Sequence, residues 1–172
     1  LMFLIVSITF RSFSQSAIVF TLIPFSFVGV LWGHVVQGMM MSILSWFGAI
    51  ALMGIVVNDS LVLVSAFNGR LKSGMTFNEA IYDAGLSRLR PVLLTSMTTI
   101  AGLAPLIFEN SHQAQFLSPM AVSVAYGLLF GTILTLVMLP SLLVINNRSK
   151  FLFRRYVLKQ DVTPELLEPA VM

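Results

Sequence analysis

Apolar residues fall into four long stretches along the chain, and short polar segments separate them. Each stretch has about 18 residues or more, which is the length that an α-helix needs to cross a bilayer. The pattern therefore predicts an all-α, polytopic membrane helix bundle. Its four complete transmembrane helices are expected near residues 17–37, 42–67, 91–108 and 117–146. A fifth apolar run, 1–10, is too short to cross, and it predicts the last part of a truncated transmembrane helix.

The longest internal polar segment, 68–90, carries a helix-start signal. Thr76 and Glu79 are spaced as a capping box, in which each side chain bonds the other residue's backbone amide. Apolar residues follow at helical spacing, and Gly85 is a plausible stop. We therefore predict a short amphipathic helix over 77–84 on the cytoplasmic face of the bilayer, separate from the next span, which starts at Pro91.

The basic residues fix an orientation. When the four spans are threaded through a membrane, all ten of them fall on one side, and the connections near 38 and 109–116 contain no Lys or Arg. The positive-inside rule assigns that side to the cytoplasm. The membrane part is then residues 1–147, followed by a cytoplasmic basic tail, 148–172, so that the C-terminus is cytoplasmic.

Composition narrows the function classes. Hydrophobic residues make up 57% and charged residues 10% of the chain, whereas soluble proteins have about 45–50% and about 25%. The net charge of +3 does not indicate nucleic-acid binding, because the basic residues lie beside membrane ends, where they meet anionic lipids. There is no cysteine, and His34 and His112 are far apart, so no metal site is predicted. The sequence shows no nucleophile–base pair or nucleotide loop, and no enzyme is predicted.

One acidic residue lies within a predicted span. Asp59 follows Asn58 about 7 Å from the middle of its helix, towards the cytoplasm. An ionised side chain at membrane depth costs about 2.5–3.5 kcal/mol, so such residues usually serve an ion or proton pathway. Desolvation favours the protonated carboxyl and a nearby cation favours the charged one. The alternative is a hydrogen-bonded pair that only holds helices together.

Small and polar residues form a strip on each of two neighbouring helices. Asn58 shares a helix face with Ala51, Gly54 and Ser65, and Arg88 shares one with Thr95, Thr99 and Gly102. Small residues allow helices to approach closely, so we expect the two strips to face each other. The same argument assigns helix packing to Gly54 and to two GxxxG motifs, Gly29 with Gly33 and Gly127 with Gly131.

Two strings carry a family resemblance: GIVVNDSLVLV at 54–64 and GLSRLRPVLLTSMTTIAGLAPL at 85–106. With TLIPFSFVG before them and MLPSLLV after, the chain resembles the last transmembrane helices of the resistance-nodulation-division (RND) superfamily. The nearest subgroup in this resemblance is the hydrophobe/amphiphile multidrug efflux pumps of Gram-negative bacteria. The likeness covers residues 1–147, as the end of helix eight and helices nine to twelve.

The resemblance implies a proton-driven exporter in the bacterial inner membrane, with protons as coupling ion and no other cofactor. Such pumps have twelve transmembrane helices in two halves, with substrate-binding periplasmic loops. They form homotrimers that join a periplasmic adaptor and an outer-membrane channel. This chain would contact membrane lipids and the rest of the same pump, including a first half that bears an aspartate pair. Alone, it would not transport.

The resemblance also carries over a proton relay. Asn58 occupies the position of a relay lysine, Asp59 that of an asparagine, Arg88 matches the relay arginine and Thr95 the relay hydroxyl. Since the lysine is missing, Asp59 either titrates or pairs with Arg88. Two alternatives to the multidrug pump stay open: a metal or lipid exporter of the same superfamily, and a membrane anchor or assembly module without transport of its own.

Overall fold

The computed structural model describes residues 2–10, 12–109 and 111–156, and their side chains except those of 113 and 152–156. These ranges contain five helices and no strand, which confirms the all-α prediction. The helices are α1 (Met2–Phe10), α2 (Phe13–Gln37), α3 (Ile43–Lys72), α4 (Phe77–Phe108) and α5 (His112–Tyr156). Among the described residues, α2 to α5 supply four helices that are long and apolar enough to cross a membrane, as predicted.

Polar side chains set where the helices begin. The Ser12 hydroxyl accepts a hydrogen bond from the Gln15 amide, so α2 starts four residues before the predicted 17. Ser42 and Ser45 form a reciprocal capping box that starts α3. Gly38 closes α2 with φ 62°, a left-handed conformation that a residue with a Cβ adopts at a cost. These caps satisfy backbone groups that a helix end otherwise leaves without partners.

The segment 77–84 is helical, but it is not a separate helix. The capping box of Thr76 and Glu79 is present, and α4 runs on from Phe77 to Phe108 without a break at Gly85 or Pro91. This corrects the predicted boundary. Glycine within a helix costs only about 1 kcal/mol, and proline is tolerated in membrane helices. The buried residues Phe77, Ala80 and Ala84 pack into the common core, which holds the first turns of α4 in place.

Helix α5 is longer than the predicted span. It contains Pro119 and Pro140 and continues past residue 147 to Tyr156, so the first turns of the predicted tail are helical. The rest of that tail, 157–172, lies outside the described residues. α5 lies at the centre of the bundle, where α2, α3 and α4 all contact it. Leu128, Leu139 and Leu143 of α5 are therefore fully buried.

Close helix contacts form where glycines meet α5. A Cβ added at Gly29 or Gly33 of α2 would lie 2.5 Å from the Cβ of Phe130 or Tyr126 on α5. Gly127 and Gly131 of α5 face α3. A Cβ at Gly127 would meet the Leu52 side chain even more closely, and one at Gly131 would lie 3.0 Å from the Val56 side chain. Backbones at this distance gain contacts that lipid tails do not supply. The two GxxxG motifs thus lie at the junction of α2, α3 and α5.

The helix order places the described basic residues towards one end of the bundle. α2 begins and α3 ends there, and the side-chain amides of Gln15 and Asn68 exchange two 3.1 Å hydrogen bonds between them. We call this the basic end, because Arg70, Lys72, Arg148 and Lys150 lie there and Arg88 and Arg90 lie in the nearer half of α4. Charged side chains at such an end can reach the polar surface of a membrane.

Candidate functional site

Helix α3 turns two different faces to its surroundings. The large apolar residues Leu52, Val56 and Leu63 are buried against the bundle. The small and polar residues of the predicted strip are instead exposed: Ala51, Gly54, Asn58 and Ser65. The strip therefore exists as one continuous face, and the residues that the structure describes do not cover it.

Asn58 and Asp59 lie in the middle of α3, where Asn58 belongs to that face and Asp59 lies at its edge. Asn58 is exposed and Asp59 is half-buried. Within the described part of the chain, neither side chain forms a hydrogen bond or an ion pair. The neighbouring Ser60 does not serve them, because its hydroxyl donates to the Val56 carbonyl at 2.7 Å. Both polar groups are thus available to a partner outside the described residues.

The strip on α4 is also uncovered. Thr95 is exposed, and its hydroxyl lies 3.0 Å from the Pro91 carbonyl and 2.9 Å from that of Val92, so it bonds only its own helix. Arg88 is half-buried and has no ion pair among the described residues. Apart from the adjacent turns of its own helix, no described atom lies within 4 Å of a Cβ built at Gly102. Arg88 and Thr95 therefore share an open face, without a bond to Asn58 or Asp59.

Helices α3 and α4 do contact each other, but through other residues than predicted. The rings of Phe67 and Phe77 meet edge to face at 5.4 Å. Arg70 forms an ion pair with Asp83 and donates a 2.7 Å hydrogen bond to Ser87. The opposite charges of Arg70 and Asp83, on either side of the turn at 73–76, were the signal in the sequence that could have predicted this contact.

The two strips do not face each other because α5 takes the inner side of both helices. Ser96, the residue after Thr95, is buried and lies 2.6 Å from the Thr132 hydroxyl of α5. This hydrogen bond directs the polar inner side of α4 to α5, and Thr95 is left on the outside. Periodicity placed Thr95 on the right face but did not show which neighbour that face would meet.

The predicted packing glycines divide into two groups. Gly29, Gly33, Gly127 and Gly131 are in close contact, as described above. Gly54 is not, because no described atom beyond the adjacent turns of α3 lies within 4 Å of a Cβ built there, so its predicted contact is not made among the described residues. Gly48, six residues earlier on α3, makes the close contact instead: its Cβ would lie 2.5 Å from the Met120 carbonyl oxygen.

The described residues contain no group of three or more His, Asp or Glu side chains that could hold a metal ion. His34 is buried, with Nδ1 2.9 Å from the Val30 carbonyl and Nε2 2.7 Å from the Ser45 hydroxyl. Both ring nitrogens are therefore occupied: Nδ1 bonds within α2, and Nε2 ties α2 to the start of α3. Sequence reasoning assigned His34 no partner.

These features define a class of protein: a polytopic membrane helix bundle with an uncovered polar face in its apolar spans. A family model described as the AcrB/AcrD/AcrF family matches residues 1–147. The chain belongs to this family, and therefore to the RND superfamily of efflux transporters.

Two named relatives and one crystal structure are similar to this chain. The cobalt-zinc-cadmium resistance protein CzcA of Cupriavidus metallidurans is 33% identical over 149 residues, which are 87% of this chain and 14% of the relative. The swarming motility protein SwrC of Bacillus subtilis is 36% identical over 142 residues, 81% of this chain and 13% of the relative. A crystal structure of a heavy metal efflux pump matches with a TM-score of 0.76 and 29% identity, over 84% of this chain and 14% of that one.

The chain thus spans about one seventh of the length of these relatives. The RND efflux family is confirmed. The narrower expectation of a multidrug pump is not, because the relatives above include a protein named for metal resistance and a structure of a heavy metal pump.

Proposed function

We propose that this chain forms part of the membrane domain of a proton-driven RND exporter, and that Asn58, Asp59, Arg88 and Thr95 belong to its proton pathway. The observation that carries the proposal is the uncovered polar face of α3 and α4 within spans that are otherwise apolar. A charged side chain on such a face costs about 2.5–3.5 kcal/mol when lipid covers it. Other helices or a water-filled cavity must therefore cover the face.

Each residue has a chemical role in this proposal. The Asp59 carboxyl takes up and releases the proton. Arg88 keeps its charge and favours the ionised carboxylate when the two approach. Moving one charge across 100 mV is worth about 2.3 kcal/mol, which is enough to bias two arrangements of the helices. Thr95 supplies a hydroxyl that already has carbonyl partners on its own helix, so its part is smaller.

For the substrate we propose divalent heavy-metal cations. The name of the relative CzcA and the likeness to the structure of a heavy metal efflux pump support this choice. The second candidate is an amphiphilic drug, which the resemblance of GIVVNDSLVLV and GLSRLRPVLLTS to multidrug pumps favours. The proposed assembly is a homotrimer in the inner membrane with a cytoplasmic C-terminus, joined to a periplasmic adaptor and an outer-membrane channel. The first half of the pump, with its aspartate pair, would cover the polar face.

The test is carried out on the complete transporter, at matched membrane expression. Asp59→Asn should abolish export and the proton influx that is coupled to it, because the amide does not titrate. Asp59→Glu should keep part of both activities. Asp83→Asn is the matched control, since Asp83 pairs with Arg70 at the basic end and not in the proposed pathway. Unchanged export in Asp59→Asn would make Asp59 structural.

The same cells separate the substrate classes. Growth is compared in cobalt, nickel and cadmium salts and in amphiphilic dyes. Protection from the metals alone supports the first candidate, and protection from the dyes alone supports the second. Replacing Arg88 by Ala should reduce export more than replacing Thr95 by Ala, because water replaces a hydroxyl more readily than a fixed charge.

A further inference from the structure

An apolar groove runs along the bundle between α4 and α5. It has a volume of about 410 Å³, and its walls are Leu93, Met97, Ile100, Leu129 and Ile133. Its polar members, Ser96 and Thr132, bond each other at 2.6 Å, so they offer no free polar group to a ligand. Met97 and Ile133 are 68% and 56% exposed, so within the described residues nothing fills the groove. Such a surface binds something apolar.

The dimensions of the groove fit one leaflet of a membrane. From Leu93 to Ala101 the groove follows α4 for eight residues, which is about 12 Å at a rise of 1.5 Å per residue. The hydrocarbon core of a bilayer is about 30 Å thick, so one leaflet has about 15 Å. An acyl chain that enters from the basic end could lie along this whole length.

A cation lies at the mouth of the groove. Arg90 is exposed and precedes Leu93 by one helical turn, on the same side of α4, because residues three and seven apart share a face. Its side chain is therefore at the level where a headgroup would lie above an acyl chain in the groove. A guanidinium binds phosphate oxygens with two parallel hydrogen bonds. Arg90 has no ion pair within the described part of the chain.

From the shape of the groove and the position of Arg90, we propose that the α4–α5 groove binds one acyl chain of an anionic phospholipid, whose phosphate Arg90 holds. The ligand comes from the leaflet at the basic end of the bundle. This site is separate from the polar strip of Asn58 and Thr95. Lipid binding at this site requires neither substrate nor a proton gradient, so it can be tested independently of the proposed transport mechanism.

The experiment measures lipid binding by native mass spectrometry. The protein is produced from its complete reading frame and purified in detergent. It is then titrated with phosphatidylglycerol or with phosphatidylcholine of the same acyl chains. We expect one phosphatidylglycerol per chain at the highest affinity. Arg90→Gln should weaken it about fivefold, the effect of one basic residue near a charged membrane surface. Phosphatidylcholine should be weakened less, because its choline cation offsets the charge of the phosphate that Arg90 would hold.

Ala101→Phe should fill the groove and weaken both lipids at least tenfold. Leu94→Phe, with the same added ring on an exposed position outside the groove, and Lys72→Gln, a basic residue away from it, are the controls and should bind like the wild type. If Ala101→Phe does not fold, Met97→Trp replaces it.

Three outcomes would overturn the proposal. Equal affinity for the two lipids in the wild type would contradict the proposed preference for an anionic lipid. Unchanged lipid binding in the groove variant would mean that the lipid does not lie in the groove. An equal loss in the controls would make the binding unspecific.

Discussion

Helices α3 and α4 have similar length and hydropathy, but they are held very differently. In the most apolar stretch of α3, 44% of the residues are buried, against 11% in that of α4. Helix α3 packs on α5 through Gly48 and through the glycines of α5, which let the two backbones approach closely. Helix α4 is held at its first turns, at the buried Val92 and at the Ser96–Thr132 bond, and most of the rest of its apolar stretch is exposed.

The comparison shows that hydropathy decides whether a helix enters the membrane, whereas small residues and polar pairs decide how tightly it is held there. Helix α4 carries both the strip of Arg88 and Thr95 and the apolar groove. A helix with few buried contacts opens at a low free-energy cost. It is therefore suited to meet other parts of a transporter and to shift as they change.

The largest effect is expected at Gly48. Gly48→Ala should destabilise the bundle by about 2 kcal/mol, because the added methyl group meets the Met120 carbonyl oxygen at 2.5 Å. The matched control is Gly54→Ala on the same helix, which has open space and should be neutral or slightly stabilising. Unfolding in mixed micelles, followed by circular dichroism, measures both. Equal losses of stability in Gly48→Ala and Gly54→Ala would contradict the difference between the two faces of α3.

A smaller effect is expected where α4 meets α5. Thr132→Val removes the partner of the Ser96 hydroxyl and should cost about 1 kcal/mol, since hydrogen bonds between membrane helices average about 0.6 kcal/mol. Thr98→Val makes the same change on the exposed side, where the hydroxyl bonds its own helix, and should cost less. The unfolding assay applies again. A larger loss of unfolding free energy in Thr98→Val would mean that the outer face of α4, and not the face towards α5, stabilises the helix.

The smallest effect is expected at the hairpin between the two helices. Asp83→Asn weakens the ion pair with Arg70. Because the Asp83 side chain is 53% exposed, the change should lower the free energy of unfolding by less than about 1 kcal/mol. The loss should shrink further as salt is added, because salt screens exposed charges. The measurement is the free energy of unfolding of the wild type and of Asp83→Asn at low and at high ionic strength. A loss that stays constant with salt would point to packing.

The sequence allowed good predictions of the elements and poor ones of their neighbours. The four spans and the capping box of Thr76 and Glu79 follow from local hydropathy and hydrogen bonding, and the structure contains them. The break expected at Gly85 is absent, because tertiary packing outweighs the weak local cost of one glycine.

The candidate site shows the same limit. Helical spacing correctly grouped Asn58 with Gly54, and Arg88 with Thr95, on shared faces. It did not reveal that both faces point away from α5, nor that Ser96 and His34 have partners on distant parts of the chain. Such pairings depend on how helices are arranged, and no periodicity within one helix contains that information. The roles of Asn58, Asp59, Arg88 and Thr95 stay predictions.

The central place of α5 also has a consequence during synthesis. Gly29 of α2 needs Phe130 of α5 as its close neighbour, and about 100 residues separate them in the chain. Ribosomes add about 5–20 residues per second, so α2 waits roughly 5–20 s before its main contact surface emerges. During that interval α2 and α3 lie in the membrane with their glycine faces unfilled. The arrival of α5 therefore closes this part of the bundle, and a chaperone or insertase that shields the glycine faces would act before α5 emerges.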